Sequence, residues 1–275
     1  PIADITRRDV IELIDRIADR GAPIAGNRMV ATLSKLFRWA VSRDLIPFSP
    51  VAEVAKPGKE TKRDRTLDDR EIVLVWRAAE SLAYPFRQFF RLALALGQRR
   101  DEIAGMTWDE LDLSAGLWTL AGDRTKGGWA HSVPLSPLAL RLIAECPRHG
   151  RHVLTTGRRR SAAPGAGDAA VSGFSKAKTT LDERIAELAG AAGAVLPAPW
   201  TIHDLRRTCR TGLSSLGVQP VVAELVIGHR QQGIAAVYDL HRYDNEKRQA
   251  LDAWARHLEA LLLPPGGNVV PLRRA

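Results

Sequence analysis

The sequence predicts a mainly α (α+β) fold: a helical domain carrying a small antiparallel β-sheet, preceded by a small all-helical domain. Three observations carry this expectation. Apolar residues recur at helical spacing along most of the chain, and strand-like sequence is confined to one stretch from Leu117 to Leu135. A polar run from Lys56 to Arg65, rich in Lys and Arg and broken by Pro57 and Gly58, divides the chain. At 275 residues the chain exceeds a usual single domain, so one large and one smaller domain fit its length. The boundaries drawn are a partial helical domain at 1–57, a basic linker at 58–66, a second domain at 67–262 and a tail at 263–275.

Each element follows from its own signals. Thr6 to Asp9 opens a helix by a capping box, and Val10, Leu13, Ile14 and Ile17 repeat at helical spacing until Gly21. A second helix spans about 25–43. Val30, Leu33, Phe37, Ala40 and Val41 form one face, and Arg28, Thr32, Lys35, Arg38 and Ser42 form the other. Thr66 to Asp69 reads as the next capping box, and the strongly apolar helix around Phe86, Phe89, Phe90, Ala93 and Leu96 stops at Gly97. Two strands follow, Leu117 to Leu120 and Trp129 to Leu135, around a Gly127-Gly128 turn. Ser136-Pro137 starts a helix as N-cap and first helical residue. Residues 157–173 read as a long loop without visible chemistry. Helices resume at about 172–188, 202–216, 220–227 and 245–262.

Composition narrows the partner. A formal net charge of +9 and a pI near 10.1 favour a polyanion such as nucleic acid over an acidic protein or a neutral small molecule. Cys146 and Cys209 stand far apart, with Cys209 in an apolar helical stripe, so a reducing compartment is expected and a disulfide framework is not. No zinc pattern occurs. No apolar run reaches membrane-spanning length, and Pro1 begins the sequence without a signal-like segment; a soluble protein excised from a longer one is expected.

Six side chains then stand out in order: Arg99, Lys126, His203, Arg206, His229 and Tyr238. Two guanidiniums, an ammonium and two imidazoles suit a site that holds a phosphodiester and stabilises the added negative charge of its pentacoordinate transition state. A tyrosine hydroxyl can attack it. Arg99 follows the Gly97 helix stop and precedes a helix containing Glu102, Ile103 and Met106, a setting that suits an anion. Thr201 and Asp204 form a capping box whose helix buries Ile202, Leu205, Cys209, Leu213 and Leu216. His203 and Arg206, three residues apart, share a flank, with Arg207 as the competing choice. Tyr84, before Pro85, reads as packing, and Tyr243 stays a rival nucleophile. His131, on the strand after the Lys126 turn, is expected to project into solvent, with contact to DNA as the alternative.

Gly97-x-Arg99-x-x-Glu102, Thr125-Lys126-Gly127-Gly128, His203-Asp204-Leu205-Arg206-Arg207-Thr208, Ile227-Gly228-His229 and the later Tyr238 together resemble the tyrosine recombinases of the phage-integrase family, close to integrases of prophages and genomic islands. The resemblance covers 66–262. It implies that Arg99 and Arg206 clamp the non-bridging oxygens of the scissile phosphate and that His203 and His229 donate and manage protons. Tyr238 then attacks to give a 3′-phosphotyrosine, Lys126 (a strand lysine in the family) protonates the leaving 5′ oxygen, and Glu102 orients its neighbours rather than binding metal.

Neither metal nor nucleotide cofactor is implied. The substrate implied is a double-stranded DNA attachment site, integrated or excised by a homotetramer on synapsed DNA that is a monomer without DNA. A directionality factor and a DNA-bending host protein are further implied partners, in the bacterial cytoplasm. Residues 1–57 become part of a DNA-binding domain, with Arg28, Lys35, Arg38, Lys62 and Arg63 as phosphate contacts, and the tail is either a disordered end or, as the resemblance implies, a segment that docks on a neighbouring subunit. The alternatives are a type IB topoisomerase-like enzyme and a catalytically silent DNA-binding protein.

Overall fold

The computed structural model describes residues 1–61, 64–159, 168–229 and 241–263. The chain divides into two compact units, Pro1–Arg63 and Asp64–Ala275. Lys62, Arg63, Tyr238 and the tail from 264 onward lie outside the described residues.

In the first unit, α1 (Arg7–Asp19) starts at a Thr6 capping box, in which Thr6 N–H donates to the Asp9 carboxylate at 2.8 Å. α2 (Pro23–Ser42) has proline in its first turn, where the missing N–H costs nothing. Val10, Ile14, Val30, Phe37, Ala40, Ile46 and Val51 form one buried cluster between them. The predicted polar face of α2 is exposed at Arg28, Thr32, Lys35, Arg38 and Ser42. Part of the expected linker belongs to this unit. The buried Asn27 side chain donates to the Gly58 carbonyl and accepts from the Gly58 N–H, because a buried amide needs partners on both sides.

In the second unit the first helix is capped two residues later than expected. Asp68, not Thr66, caps α3 (Asp69–Glu80), with Glu71 closing the box, since Glu reaches back to the cap N–H where Asp69 does not stand in register. α4 (Phe86–Leu96) is buried from Gln88 to Leu96, as expected of a helix apolar on every side. Around it pack α3, α6 (Pro137–Ala144, capped by Ser136), α8 (Ile202–Ser215) and α10 (Asp244–Leu262). α5 (Arg100–Ala104) is a short helix that ends before Met106, α7 (Phe174–Ala192) packs on α3, and α9 (Pro220–Val226) packs on α10.

β1 (Leu111–Asp112), β2 (Leu117–Leu120) and β3 (His131–Pro134) form an antiparallel sheet in that order, with Trp118 opposite Val133 and Leu120 opposite His131. Lys126 therefore sits in the turn between β2 and β3 rather than on a strand. The stretch expected to be an unstructured loop instead contains β4 (Thr155–Arg159) and β5 (Asp168–Ala170), paired antiparallel; its Ala, Gly and Arg lack the apolar alternation that marks a strand in sequence. Leu216, placed in the buried stripe of α8, is exposed at the helix C-cap, one turn beyond the last buried residue, Leu213.

α8 and α10 meet at a glycine. A Cβ on Gly212 would lie 2.2 Å from the Trp254 ring, which is fully buried and anchored by its indole N–H on the Leu94 carbonyl at 2.9 Å. Alanine gains up to about 1 kcal/mol in helix propensity over glycine. Forcing a methyl into a packed ring costs about 1–3 kcal/mol, so Gly212→Ala is expected to be destabilising overall. Denaturant titration should show a lower midpoint with an unchanged slope.

Candidate functional site

α4 ends at Gly97, whose left-handed φ of 62° lets the chain turn sharply into Arg99. A side chain at this glycine would also strike Cys209 on α8, 2.8 Å from its sulfur. The turn is fixed from a second side by Gln98, buried, whose amide donates to the carbonyls of Leu96 and Val226 at 2.8 Å each. Arg99 thus stands at the N-terminus of α5. Its guanidinium donates to the buried Glu102 carboxylate at 2.8 Å, and its backbone N–H donates to the other oxygen at 2.9 Å.

Arg206 comes from α8, itself started by the Thr201–Asp204 capping box. It is 4 % exposed, and its guanidinium donates to the Gly97 carbonyl at 3.0 Å and approaches Nε2 of His229 at 3.1 Å. Burial, and then the nearby charge of Arg99, push it down to about 10, which still leaves it cationic near neutrality. Arg207, the competing choice, instead pairs with the fully buried Asp204 at 2.7 Å. His203 is exposed, and partial burial followed by the charges of Arg207 and Arg206 lowers its pKa, which favours the neutral ring.

Gly228, at φ 70°, ends the turn after α9 and sets His229, whose N–H donates to the Glu224 carbonyl at 2.9 Å. Arg99, Lys126 and His229 line one open cleft of about 800 Å³, with Trp129, Arg210 and Glu224 also on its wall. The Lys126 turn is built for close approach. The Thr125 hydroxyl donates to the Trp129 carbonyl at 2.8 Å, with the Gly122 carbonyl also in reach at 3.1 Å, and the Trp129 ring folds over Gly127, where a Cβ would lie 2.3 Å from it. The structure therefore gathers Arg99, Glu102, Lys126, Arg206 and His229, with His203 close enough for Arg99 and Arg206 to depress its charge. Tyr238 falls outside the described residues. Tyr243 sits at the start of α10, its ring edge-on to His241 at 4.5 Å and packed on the core, and Tyr84 OH donates to the Val153 carbonyl.

Glu224 and Arg210 were not singled out from the sequence. The available signal was a lone carboxylate inside the otherwise apolar Pro220–Val226 helix, five residues before His229. His131 corrects its expectation: the ring packs against Gly228, 3.1 Å from where a Cβ would be, and its buried Nε2 has no hydrogen-bond partner among the described residues. Strand pairing opposite Leu120 turns it inward. No helix among the described residues is long and apolar enough to cross a membrane.

A model described as the phage integrase family matches residues 65–245. The chain is 25 % identical over 275 residues to the prophage integrase IntZ of Escherichia coli K12, covering 98 % of this chain and 64 % of that relative, so it spans less than two thirds of that protein's length. Its fold is that of lambda integrase (residues 75–356) in a dimer bound to a core site, at TM-score 0.59, 22 % identity, and 92 % and 82 % coverage of the two chains. A lambda integrase tetramer bound to a Holliday junction matches at TM-score 0.59, 21 % identity, and 84 % and 66 % coverage.

His131 makes a pH prediction. Burial, and next the charge of Lys247, push its pKa down to about 4 from an ordinary 6.5. Between those values the unfolded chain binds the proton and the folded chain does not. Stability is thus full above 6.5 and falls as pH drops toward 4, by about 3 kcal/mol from this group. His131→Leu removes the titrating ring while keeping the site apolar, and should flatten that part of the profile in denaturant titrations between pH 7 and 4.

Proposed function

The chain belongs to the phage integrase family, whose model matches residues 65–245, and from that premise we propose that it is a tyrosine recombinase acting on double-stranded DNA attachment sites. It cuts and rejoins strands through a 3′-phosphotyrosine, integrating or excising a mobile element in a bacterial cell. The observation that carries this reading is the cleft in which Arg99, Lys126 and His229 meet in front of the buried Arg206. Two guanidiniums, an ammonium and an imidazole converge where a phosphodiester gains charge, so preorganised cations supply the stabilisation.

In the proposed sequence, Arg99 and Arg206 hold the non-bridging oxygens. The Tyr238 oxygen attacks phosphorus, its proton passing to a histidine, His203 or His229. The P–O5′ bond breaks, and the Lys126 ammonium gives the leaving oxygen its proton. Glu102 holds Arg99 in place. One phosphoester replaces another, so the step is reversible and a 5′ hydroxyl of another strand can attack in turn. Residues 1–57 are proposed as a DNA-binding domain contacting phosphates through Arg28, Lys35 and Arg38, with Lys62 and Arg63 in the linker. The lambda integrase tetramer on a Holliday junction supports a tetramer on synapsed DNA as the working assembly.

On a nicked suicide substrate, Tyr238→Phe should form no covalent adduct while its noncovalent affinity changes by less than about threefold, because phosphate contacts dominate binding. Tyr243→Phe should still form adducts. The reverse result makes Tyr243 the nucleophile, and adducts from neither the wild type nor a variant defeat the enzymatic reading.

Lys126→Ala should slow cleavage of ordinary DNA by about 10²–10⁴-fold. It should cleave a substrate with sulfur at the 5′ bridging position at nearly the wild-type rate, since a thiolate leaves without a proton. Sulfur rescue of Arg99→Ala but not of Lys126→Ala would place the proton donor elsewhere.

A further inference from the structure

The cleft contains a carboxylate that the six-residue set does not use. Glu224 Oε2 lies 2.5 Å from Nδ1 of His229, and its Oε1 accepts from the Arg210 guanidinium at 2.8 Å. On the other side of the ring, Nε2 faces the Arg206 guanidinium at 3.1 Å. A guanidinium only donates, so Nε2 presents its lone pair to it. A neutral imidazole carries one proton, which therefore lies on Nδ1, against Glu224.

We propose that Glu224 is a positioning residue for His229, fixing its Nδ1–H tautomer so that the Nε2 lone pair points at the phosphate site, while Arg210 aims the carboxylate. This rests on the reading of the cleft as a phosphodiester site. When a phosphate oxygen takes the Arg206 N–H, the freed Nε2 is already directed at the reacting oxygens. If it takes a proton there, an O–H bond breaks, an N–H bond forms, and the imidazolium's charge lies against Glu224. Reversal returns the same proton. Burial opposes the Glu224 charge, but hydrogen bonds from His229 and Arg210 outweigh it and hold its carboxyl below the usual range. Among the described residues, the other charged groups facing this histidine are Arg206 from α8 and, on the cleft wall, Arg99, Lys126 and Arg210, while the Glu102 carboxylate behind them is paired with Arg99. Glu224 is thus the anion that meets the ring.

Glutamine separates orientation from packing. Its amide oxygen is claimed by Arg210, which can only donate, and its NH₂ then faces Nδ1 and demands the opposite tautomer. Nitrogen-15 spectra of the full chain, with the His229 ring assigned through a His229→Gln variant, should show the Nδ1–H form in the wild type and in Glu224→Asp, and the Nε2–H form in Glu224→Gln. Cleavage by Glu224→Gln should fall by about 10²–10⁴-fold, the usual worth of a correctly positioned acid–base group, with about 10⁴ for an amide that imposes the wrong tautomer. DNA affinity and the thermal midpoint should stay close to wild type, and Glu224→Asp should recover much of the rate. An unchanged tautomer in Glu224→Gln, wild-type cleavage by it, or affinity lost in step with cleavage overturns the proposal. If the wild type forms no adduct, the recombinase reading fails while the spectra still decide the role of Glu224.

Discussion

The structure depends on keeping a full positive charge inside a protein core. Arg206 is almost entirely buried, and an uncompensated guanidinium there would be intolerable. Its surroundings meet that constraint one donor at a time. The Gly97 carbonyl takes one N–H, Nε2 of His229 faces another, and the charges of Glu102 and Glu224 oppose the repulsion from Arg99. The carbonyl is available only because Gly97 turns the chain in a left-handed conformation and leaves room for Cys209. A backbone turn, a helix contact and two carboxylates are thereby organised around one side chain.

How far the sequence reveals this differs by feature. Helices with a cap and a periodic face, such as Arg7–Asp19 and Ile202–Ser215, are readable because local chemistry and burial agree. The β2–β3 pair is readable from Trp118, Leu120 and Val133, whereas the two-residue β1, Leu111–Asp112, carries no alternation and is not. The β4–β5 pair is not, since its Gly, Arg and Ala residues carry no alternation, and pairing is decided by the partner strand. In the site, spacing alone does not separate Arg206 from Arg207, because residues three and four positions on from His203 both lie on its side of the helix. Tertiary contacts separate them: one arginine reaches Gly97, the other bonds to Asp204. The inward turn of His131 and the Glu224–His229 bond likewise depend on residues distant in sequence or on side-chain direction, which no periodicity encodes.

The sheet and the last helix are tied by a second buried cation. Lys247 on α10 donates to the Ser132 carbonyl and hydroxyl at 3.0 and 2.8 Å and pairs with Asp244, which also accepts from Ser132. β3, which follows the Lys126 turn, is thereby fastened to the start of α10. The ammonium is buried, so its charge-assisted hydrogen bonds to Ser132 resist salt better than surface pairs do.

Cys209 gives the molecule an internal clock. Its thiol is fully buried, and burial first of all pushes its pKa up to about 12, so it is inert while α4 and α8 stay in contact. A thiol reagent can reach it only when the contact that supports Gly97 and Arg206 opens. The rate of its modification therefore measures how often the Gly97 turn comes apart from α8, a local opening that global melting would not resolve.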